Sequence, residues 1–442
     1  MDRPEALVRP LEARWQEVLD EVLRPMHRPP LTTKDVARLA PKVEELSRAY
    51  NRAEAEGRRT KLPLEARIAF SFPRDVPKGA GATRELVASG ALTIPADRPL
   101  RVLDLGAGLG AMTWGLVRAL AASGGAGRVD AVLVDEDTEV LEAARSIGRA
   151  ARALLGMDPI DLRLTTEVKS LDALTAGGVT GAVRGAHDVV ILGQVLSEID
   201  PRADAATRLA RQAALVTHVL ETMVAPDGAL VIVEPALRER TRHLHALRDR
   251  VIEGGAVAVF APCLHARSCP MLAVETDWCH EDAPVDLPPW TAPLARAAGL
   301  RWQGLTFSYL VLRRDGLGAV ANAAGAPRAA EPSASGAHAV RFRAVSDLLR
   351  SKGKLELFVC REDGARQRIR RLDRDAAGER GVPFEDLRRG DVVTVRAIAG
   401  APPGASAGGD TSAVEELTPP IDERGRVSAK AHVAIDVAAT RK

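Results

Sequence analysis

The sequence predicts an α/β protein: a doubly wound sheet with a helical N-terminal extension and a small basic β-rich C-terminal module. Three observations carry this. From Leu100 onward, short apolar runs alternate with helical stretches, as expected when parallel strands are joined by helical crossovers. The run Arg101 to Leu105 leads into Gly106-Ala107-Gly108-Leu109-Gly110 and then a helical stretch, Ala111 to Leu120, and ligands bind at such strand ends. Beyond residue 340, short strand-like runs lie among turn residues and arginines.

Taken in order, residues 5 to 60 are expected to be helical, because Val36, Leu39, Val43, Leu46 and Tyr50 recur at three- and four-residue spacing behind Thr32-Thr33, an N-cap pair. Val102 to Leu105, Ala131 to Val134, Val189 to Leu192 and Leu230 to Val233 read as buried parallel strands, and Phe307 to Leu312 as a late strand closing the sheet. Residues 315–339 are almost all Gly, Ala, Pro and Ser and read as a linker. Leu355 to Val359 and Val392 to Ile398 read as strands separated by an arginine-rich stretch, Arg366 to Arg374. The expected division is a helical extension over 1–95, a main domain over 96–314 with a cysteine-bearing insertion at about 255–290, the linker 315–339, a β-rich module over 340–400, and a mostly flexible tail over 401–442.

Composition narrows the function class. At 442 residues and 46% hydrophobic, the chain can bury a core without staples. No apolar run approaches the roughly 18–20 residues of a membrane span, and Met1 to Glu5 lack the apolar block of a signal peptide, so a cytoplasmic protein is expected. The chain has 52 arginines against nine lysines; codon bias accounts for this as well as RNA binding does. Residues 341–400 carry net +5 and residues 1–100 net +3, leaving −6 on the rest. A polyanion would therefore be gripped at the flanks, with Arg366, Arg368, Arg370 and Arg371 as candidate phosphate contacts. A plain solvated face is the competing reading.

The glycine loop sets the first candidate site. Gly106, Gly108 and Gly110 let the backbone pass under a ligand, and Asp135, which ends the next strand, can accept hydrogen bonds from ribose hydroxyls. A nicotinamide site and a purely structural turn are alternatives. Asp104-Leu105-Gly106-Ala107-Gly108-Leu109-Gly110 resembles the first motif of class I S-adenosylmethionine (SAM) methyltransferases, which are Rossmann-like. That resemblance implies that Asp104 lies near the methionine moiety of SAM and that Asp135 holds its ribose. No catalytic residue is assigned. The strand ending at Leu192 continues Gly193-Gln194-Val195-Leu196-Ser197-Glu198, without the Asn/Asp-Pro-Pro-aromatic motif of amino-directed enzymes. Lys169 is the only lysine between Lys78 and Lys352, so a lysine-containing tetrad is not supported. Glu198 is the best polar candidate near the transferred methyl, and it reads equally well as a helix-start carboxylate.

The second candidate site is built from cysteines. Cys263, Cys269 and Cys279 share one Pro- and His-punctuated segment, and the fourth, Cys360, lies 80 intervening residues later. Zinc favours tight Cys-x-x-Cys knuckles, whereas these intervals and the Cys-Pro step suit an iron–sulfur cluster better. Zinc, with His265 or His280 as a ligand, and no metal at all stay open. Together with Phe307-Ser308-Tyr309 and Gly353-Lys354 leading a strand to Cys360, these motifs resemble the methyltransferase-like small-ribosomal-subunit assembly factors of mitochondria and their bacterial homologues, over about residues 60 to 400. The resemblance implies a 4Fe–4S cluster on Cys263, Cys269, Cys279 and Cys360, and action on the small ribosomal subunit and its rRNA. Val233-Glu234-Pro235-Ala236-Leu237 departs from the family's Glu-Pro-Gly and puts the shape of that loop in question. Three functions compete: a SAM- and rRNA-binding assembly factor without turnover, an active rRNA methyltransferase, and a small-molecule methyltransferase with a structural zinc.

Overall fold

The structure, a computed structural model, describes residues 7–26, 32–56, 63–156, 158–171, 185–200, 202–318, 339–378, 380–396, 420–429 and 431–435. Most of the expected linker, residues 319–338, and residues 401–419 of the expected tail lie outside the described residues.

The main domain is an eight-stranded sheet: β1 (Leu100–Leu105), β2 (Gly127–Asp135), β3 (Ile160–Val168), β4 (His187–Gly193), β5 (Val224–Glu234), β6 (Ala258–Ala261), β7 (Glu281–Ala283) and β8 (Leu305–Arg313). Its order is β3-β2-β1-β4-β5-β8-β6, with the short β7 also pairing with β8. The neighbours from β3 to β5 are parallel. β8 is antiparallel to both β5 and β6. One reversed strand, β8, is thus inserted between β5 and β6. The expected late strand at Phe307 to Leu312 is therefore present, but it lies between β5 and β6 instead of closing an edge, and the sheet is mixed. β3 escaped the sequence pattern because Ile160–Val168 alternates apolar and polar residues on an edge.

Helices cover both faces. α1 (Arg14–Leu23), α2 (Thr33–Glu56), α3 (Leu64–Ala66), α4 (Phe72–Ala88), α5 (Ala111–Ala122), α6 (Thr138–Leu155), α7 (Ala205–Thr222), α8 (Arg238–Ile252) and α9 (Ala292–Ala297) follow in chain order. Along β1 the faces separate cleanly: Leu100 and Val102 join the core shared with α1, α2 and α4 to α6, while Leu103 and Leu105 join the core under α7 and α8. The expected cap is present before α2, where the Asp35 amide donates to Thr32 Oγ1 and the Thr32 amide donates to the Asp35 carboxylate. The N-terminal extension is packed onto the domain, with Trp15 edge-on to Trp114 at 4.9 Å between centroids and near Phe72 at 5.8 Å.

Two glycines bring α4 and α5 into backbone contact. A Cβ at Gly115 would lie 2.2 Å from the Val76 carbonyl oxygen, and one at Gly79 would lie 2.5 Å from that of Met112. Helices can approach so closely only where no side chain intervenes. This crossing lays α4 over the glycine loop that starts α5.

The second sheet contains β9 (Ala339–Ala344), β10 (Leu349–Ser351), β11 (Lys354–Arg361), β12 (Arg366–Leu372), β13 (Arg380–Gly381), β14 (Val392–Arg396) and β15 (His432–Ile435). Its order is β10-β11-β9-β14-β15-β13, with β12 on β11. The arginine-rich stretch is itself strand β12: Ile369 and Arg371 are buried while Arg366 and Arg368 face outward, a period-two pattern that charge counting hides. β15, in the segment composition assigns to the tail, pairs antiparallel with β14 and buries Val433. Phe342, Leu357, Val359, Ile369, Val393 and Val433 form the module's own core.

Gly115→Ala is expected to lower unfolding stability by about 2–3 kcal/mol through overpacking against α4. Urea titration checks it, and an unchanged midpoint would mean that the two helices do not touch.

Candidate functional site

At the end of β1, Gly106, Gly108 and Gly110 all have positive φ (69°, 54° and 77°), which a side chain would strain. Gly110 caps α5, so the loop delivers backbone amides at a helix start. Asp135 ends β2 and is tied to this loop: its carboxylate accepts from the Gly108 amide at 2.9 Å and from the Asp137 amide at 3.0 Å. Asp104 is buried, and one oxygen accepts from Thr113 Oγ1 at 2.7 Å. The other oxygen, Oδ1, has no partner among the described residues. Burial pushes the Asp104 carboxyl up to about 6. The structure thus brings Asp104, Gly106, Gly108, Gly110 and Asp135 into one cradle.

Sequence reasoning missed the group facing that cradle from α4. Lys78, 2% exposed, donates to Gln194 Oε1 at 3.1 Å and pairs with Asp75 at 2.7 Å. Gln194 directly follows β4 and holds a left-handed φ of 58°. Burial lowers the Lys78 pKa, and Asp75 opposes the shift. The two residues are 116 positions apart, so no local pattern could have joined them. Glu198 lies half-buried in the short turn after β4. Glu234, at the end of β5, accepts from the Leu196 amide at 3.0 Å, and burial pushes its carboxyl up to about 7. The altered sequence after it thus leaves Glu234 bracing the β4 turn.

All four cysteines line one cavity of about 50 Å³, together with His245, Arg248, His265, His280 and Arg343. Burial raises the Cys269 and Cys279 thiols to about 12, and the Cys263 thiol adds to the rise at both. Cys360 is shifted in the same direction by burial and by all three other cysteines. Among the described residues, no three His, Cys, Asp or Glu side chains form a group able to hold a metal ion. His265 Nε2 lies 3.4 Å from Cys360 Sγ, bridging insertion and module. His280 stacks on Trp278 at 5.6 Å.

One face of α8 shapes the insertion. Arg242 donates to the carbonyls of Met271, Val274 and Asp277 at 2.7–2.8 Å. His245 Nε2 donates to the Cys279 carbonyl at 3.2 Å, Arg248 donates to the carbonyls of His265 and Arg267, and Asp249 accepts from the Cys269 amide at 2.8 Å. The polar spacing 242, 245, 248 and 249 is the readable signal, because these positions share a helical face. The family-like Phe307-Ser308-Tyr309 is structural here: Phe307 fills the space over Gly81, Ser308 Oγ donates to the Glu234 carbonyl at 3.3 Å, and Tyr309 donates to Glu85 at 2.6 Å.

The candidate phosphate contacts do not form one surface. Arg371 is buried and donates to the Ser428 carbonyl. Arg366 pairs with Asp277 at 2.7 Å and lies over the Phe358 ring. Arg370 is half-buried, and of the four only Arg368 is both well exposed and free of the insertion.

No curated protein matches the chain significantly. Solved structures similar to it include the plantazolicin methyltransferase BpumL in complex with SAH, at 10% identity over 64% of this chain and 98% of that chain, with a TM-score of 0.31. The pyocyanin biosynthetic protein PhzM is 17% identical over 63% of this chain and 68% of that one, with a TM-score of 0.30. An O-methyltransferase family protein from Burkholderia thailandensis is 18% identical over 64% and 74%, with a TM-score of 0.27. No helix among the described residues is long and apolar enough to cross a membrane. A sequence profile described as mitochondrial small ribosomal subunit Rsm22 matches residues 74–378. That description names the mitochondrion, whereas the sequence alone leads to the cytoplasm. With the profile spanning more than half of the chain, from α4 through the cysteine insertion to β12, the protein belongs to the Rsm22 family.

Proposed function

We propose that this protein binds SAM and small-subunit rRNA during assembly of the small ribosomal subunit, without turning the cofactor over, and that a 4Fe–4S cluster on Cys263, Cys269, Cys279 and Cys360 clasps its two modules. The observation that carries this reading is the convergence of four thiols, from segments 80 residues apart, on one cavity. Thiolates are the ligands such clusters use. Four cysteines lining one cavity match the ligand count of such a cluster, and their intervals are wider than the knuckles zinc favours. Buried Arg248 beside the cysteines would offset the negative charge of thiolate ligation. A cluster there would supply cross-linking between insertion and β11. The compartment we infer is the cytoplasm.

The residues of the glycine cradle fit SAM. SAM when bound supplies an electrophilic methyl group on a sulfonium. Asp104 Oδ1 lacks a donor among the described residues, and the cofactor's ammonium is one. Asp135 keeps lone pairs for ribose hydroxyls beside its two amide donors. The side chain at the end of β4 is Gln194, a neutral amide whose oxygen is committed to Lys78, so it offers a methyl acceptor no base. An active rRNA methyltransferase is the second reading, and one observation favours it: burial makes Lys78 a weaker ammonium near the β4 end. Transfer of label from SAM to immature small subunits, absent in the first reading and present in the second, separates them.

Asp135→Ala should cost about 2–3 kcal/mol of SAM affinity by calorimetry. Asp104 is charged above about pH 6 and protonated below it, so its attraction for a cationic cofactor is present at neutral pH and lost as pH falls. SAM affinity should therefore weaken between about pH 7 and about pH 5, and Asp104→Asn should flatten that dependence.

Anaerobic purification should yield about four irons and four sulfides per chain. Cys360→Ser should lower iron content and speed hydrogen exchange in β9 and β11 together; full iron with unchanged exchange would remove Cys360 from the ligand set. Exposed Arg350, Lys352 and Arg368 replace the quartet of Arg366, Arg368, Arg370 and Arg371 as candidate phosphate contacts around the β10–β11–β12 edge, with Arg350 paired to Leu355 and Arg368 to Phe358 on opposite faces of β11. Changing these three to Glu should flatten the salt dependence of rRNA binding by roughly 0.7–0.9 in log–log slope for each phosphate no longer neutralised, and an unchanged slope would make these residues merely solvated.

A further inference from the structure

The groups over the glycine cradle include one cation that no described residue engages. α3 continues into α4 through a π-helical turn, Arg67–Ser71, and such widened turns recur where a helix re-aims a side chain at a functional site. Arg67, the first residue of that turn, reaches over the loop: a Cβ built on Gly108 would lie 3.0 Å from one of its guanidinium nitrogens. Arg67 is half-buried. Its side chain forms no hydrogen bond or ion pair with the described residues.

Nearby carboxylates are already engaged. Glu65 accepts from Arg38 at 2.6 and 2.8 Å and pairs with Lys42 at 3.4 Å. Asp75 pairs with Lys78. Asp135 accepts from the amides of Gly108 and Asp137. A guanidinium that gives up part of its hydration without gaining an anion is unfavourable unless a ligand supplies one. The second observation lies in the same cradle: buried Asp104 Oδ1 is an acceptor without a donor. An unpaired cation and an unsatisfied anion flanking one glycine loop match a zwitterion, the amino-acid end of a nucleoside-linked methionine, whose ammonium and carboxylate need opposite partners.

We propose that Arg67 is the carboxylate anchor of the cofactor site, binding the methionyl carboxylate of SAM while Asp104 takes its ammonium. This rests on the SAM reading above and adds a specificity element to it. The planar fork of arginine binds a carboxylate through two parallel N–H donors, which a lysine cannot reproduce. Because Arg67 comes from the segment ahead of α4 and Asp104 from β1, cofactor binding would also fasten the N-terminal helices onto the sheet.

The test is calorimetry on the full chain with SAM and with its decarboxylated analogue, S-adenosyl-methylthiopropylamine. Wild type should prefer SAM. Arg67→Met should bind SAM about tenfold to a hundredfold more weakly and the decarboxylated analogue as wild type does, with Arg67→Lys between; thermal melts confirm that both variants are folded. Equal loss toward both ligands, or no loss toward either, overturns the assignment while leaving the SAM reading intact. Failure of the wild type to bind SAM overturns that reading and Arg67's role with it. Loss confined to rRNA binding would make Arg67 a phosphate ligand and likewise overturn the proposal.

Discussion

Everything at the joint between the two sheets depends on one buried ionic network. Glu85 on α4 accepts from Tyr309 of β8 at 2.6 Å and from Arg343 of β9 at 2.7 Å, and Arg84, the neighbouring residue, pairs with Glu281 of β7 at 2.5 Å. Arg343 also donates to the Gly390 carbonyl at 2.9 Å, and a Cβ at Gly390 would collide with the Glu281 carboxylate at 2.7 Å. All five side chains belong to residues at most 7% exposed. Buried charges are tolerated only when each is paired and hydrogen-bonded, and losing one partner typically costs about 3–5 kcal/mol. Such a network has little freedom to slide, so it fixes which parts of the chain meet.

What it fixes is the cysteine cavity. Arg343 is the register partner of Cys360 across β9 and β11, and Glu281 lies two residues after Cys279. Pairing Arg343 to Glu85, and Glu281 to the adjacent Arg84, therefore sets the insertion and the C-terminal module against the same turn of α4. The same helix carries Lys78, seven residues earlier, to Gln194 at the end of β4. Seven residues span about 10 Å along a helix, and the α4–α5 crossing at Gly79 and Gly115 leaves that rod no slack. The glycine cradle and the cysteine cavity are thus linked through one helix.

The legible parts were those whose function is local in sequence. Central strands announce themselves because parallel strands buried on both faces read as unbroken apolar runs, as at Val189–Leu192. The glycine loop and Asp135 could be read because turn geometry demands particular residues at fixed spacing. Edge strand β3 and the strand β12 could not, since both alternate with polar residues and lack the unbroken apolar run of a central strand. Charge was the least reliable guide: of the arginines in β12, one is spent on a buried carbonyl and one on Asp277. An arginine's partner is set by tertiary position, which composition does not encode.

The end of β4 shows how completely neighbouring side chains can commit one strand end. The fold positions a strand end beside the glycine loop, and the residue placed there decides what can happen. Here that residue is Gln194, with its backbone in the left-handed region and its amide oxygen bound by a lysine that is itself held by Asp75. Releasing Gln194 would leave a buried ammonium with one partner fewer, and releasing Lys78 would strand Asp75. The arrangement is therefore self-locking: each group satisfies the next. At the glycine loop itself, Asp104 Oδ1 and Arg67 are without partners among the described residues. Asp104 comes from β1 and Arg67 from the segment ahead of α4, so the groups left open at the glycine loop belong to two elements that only the tertiary fold brings together.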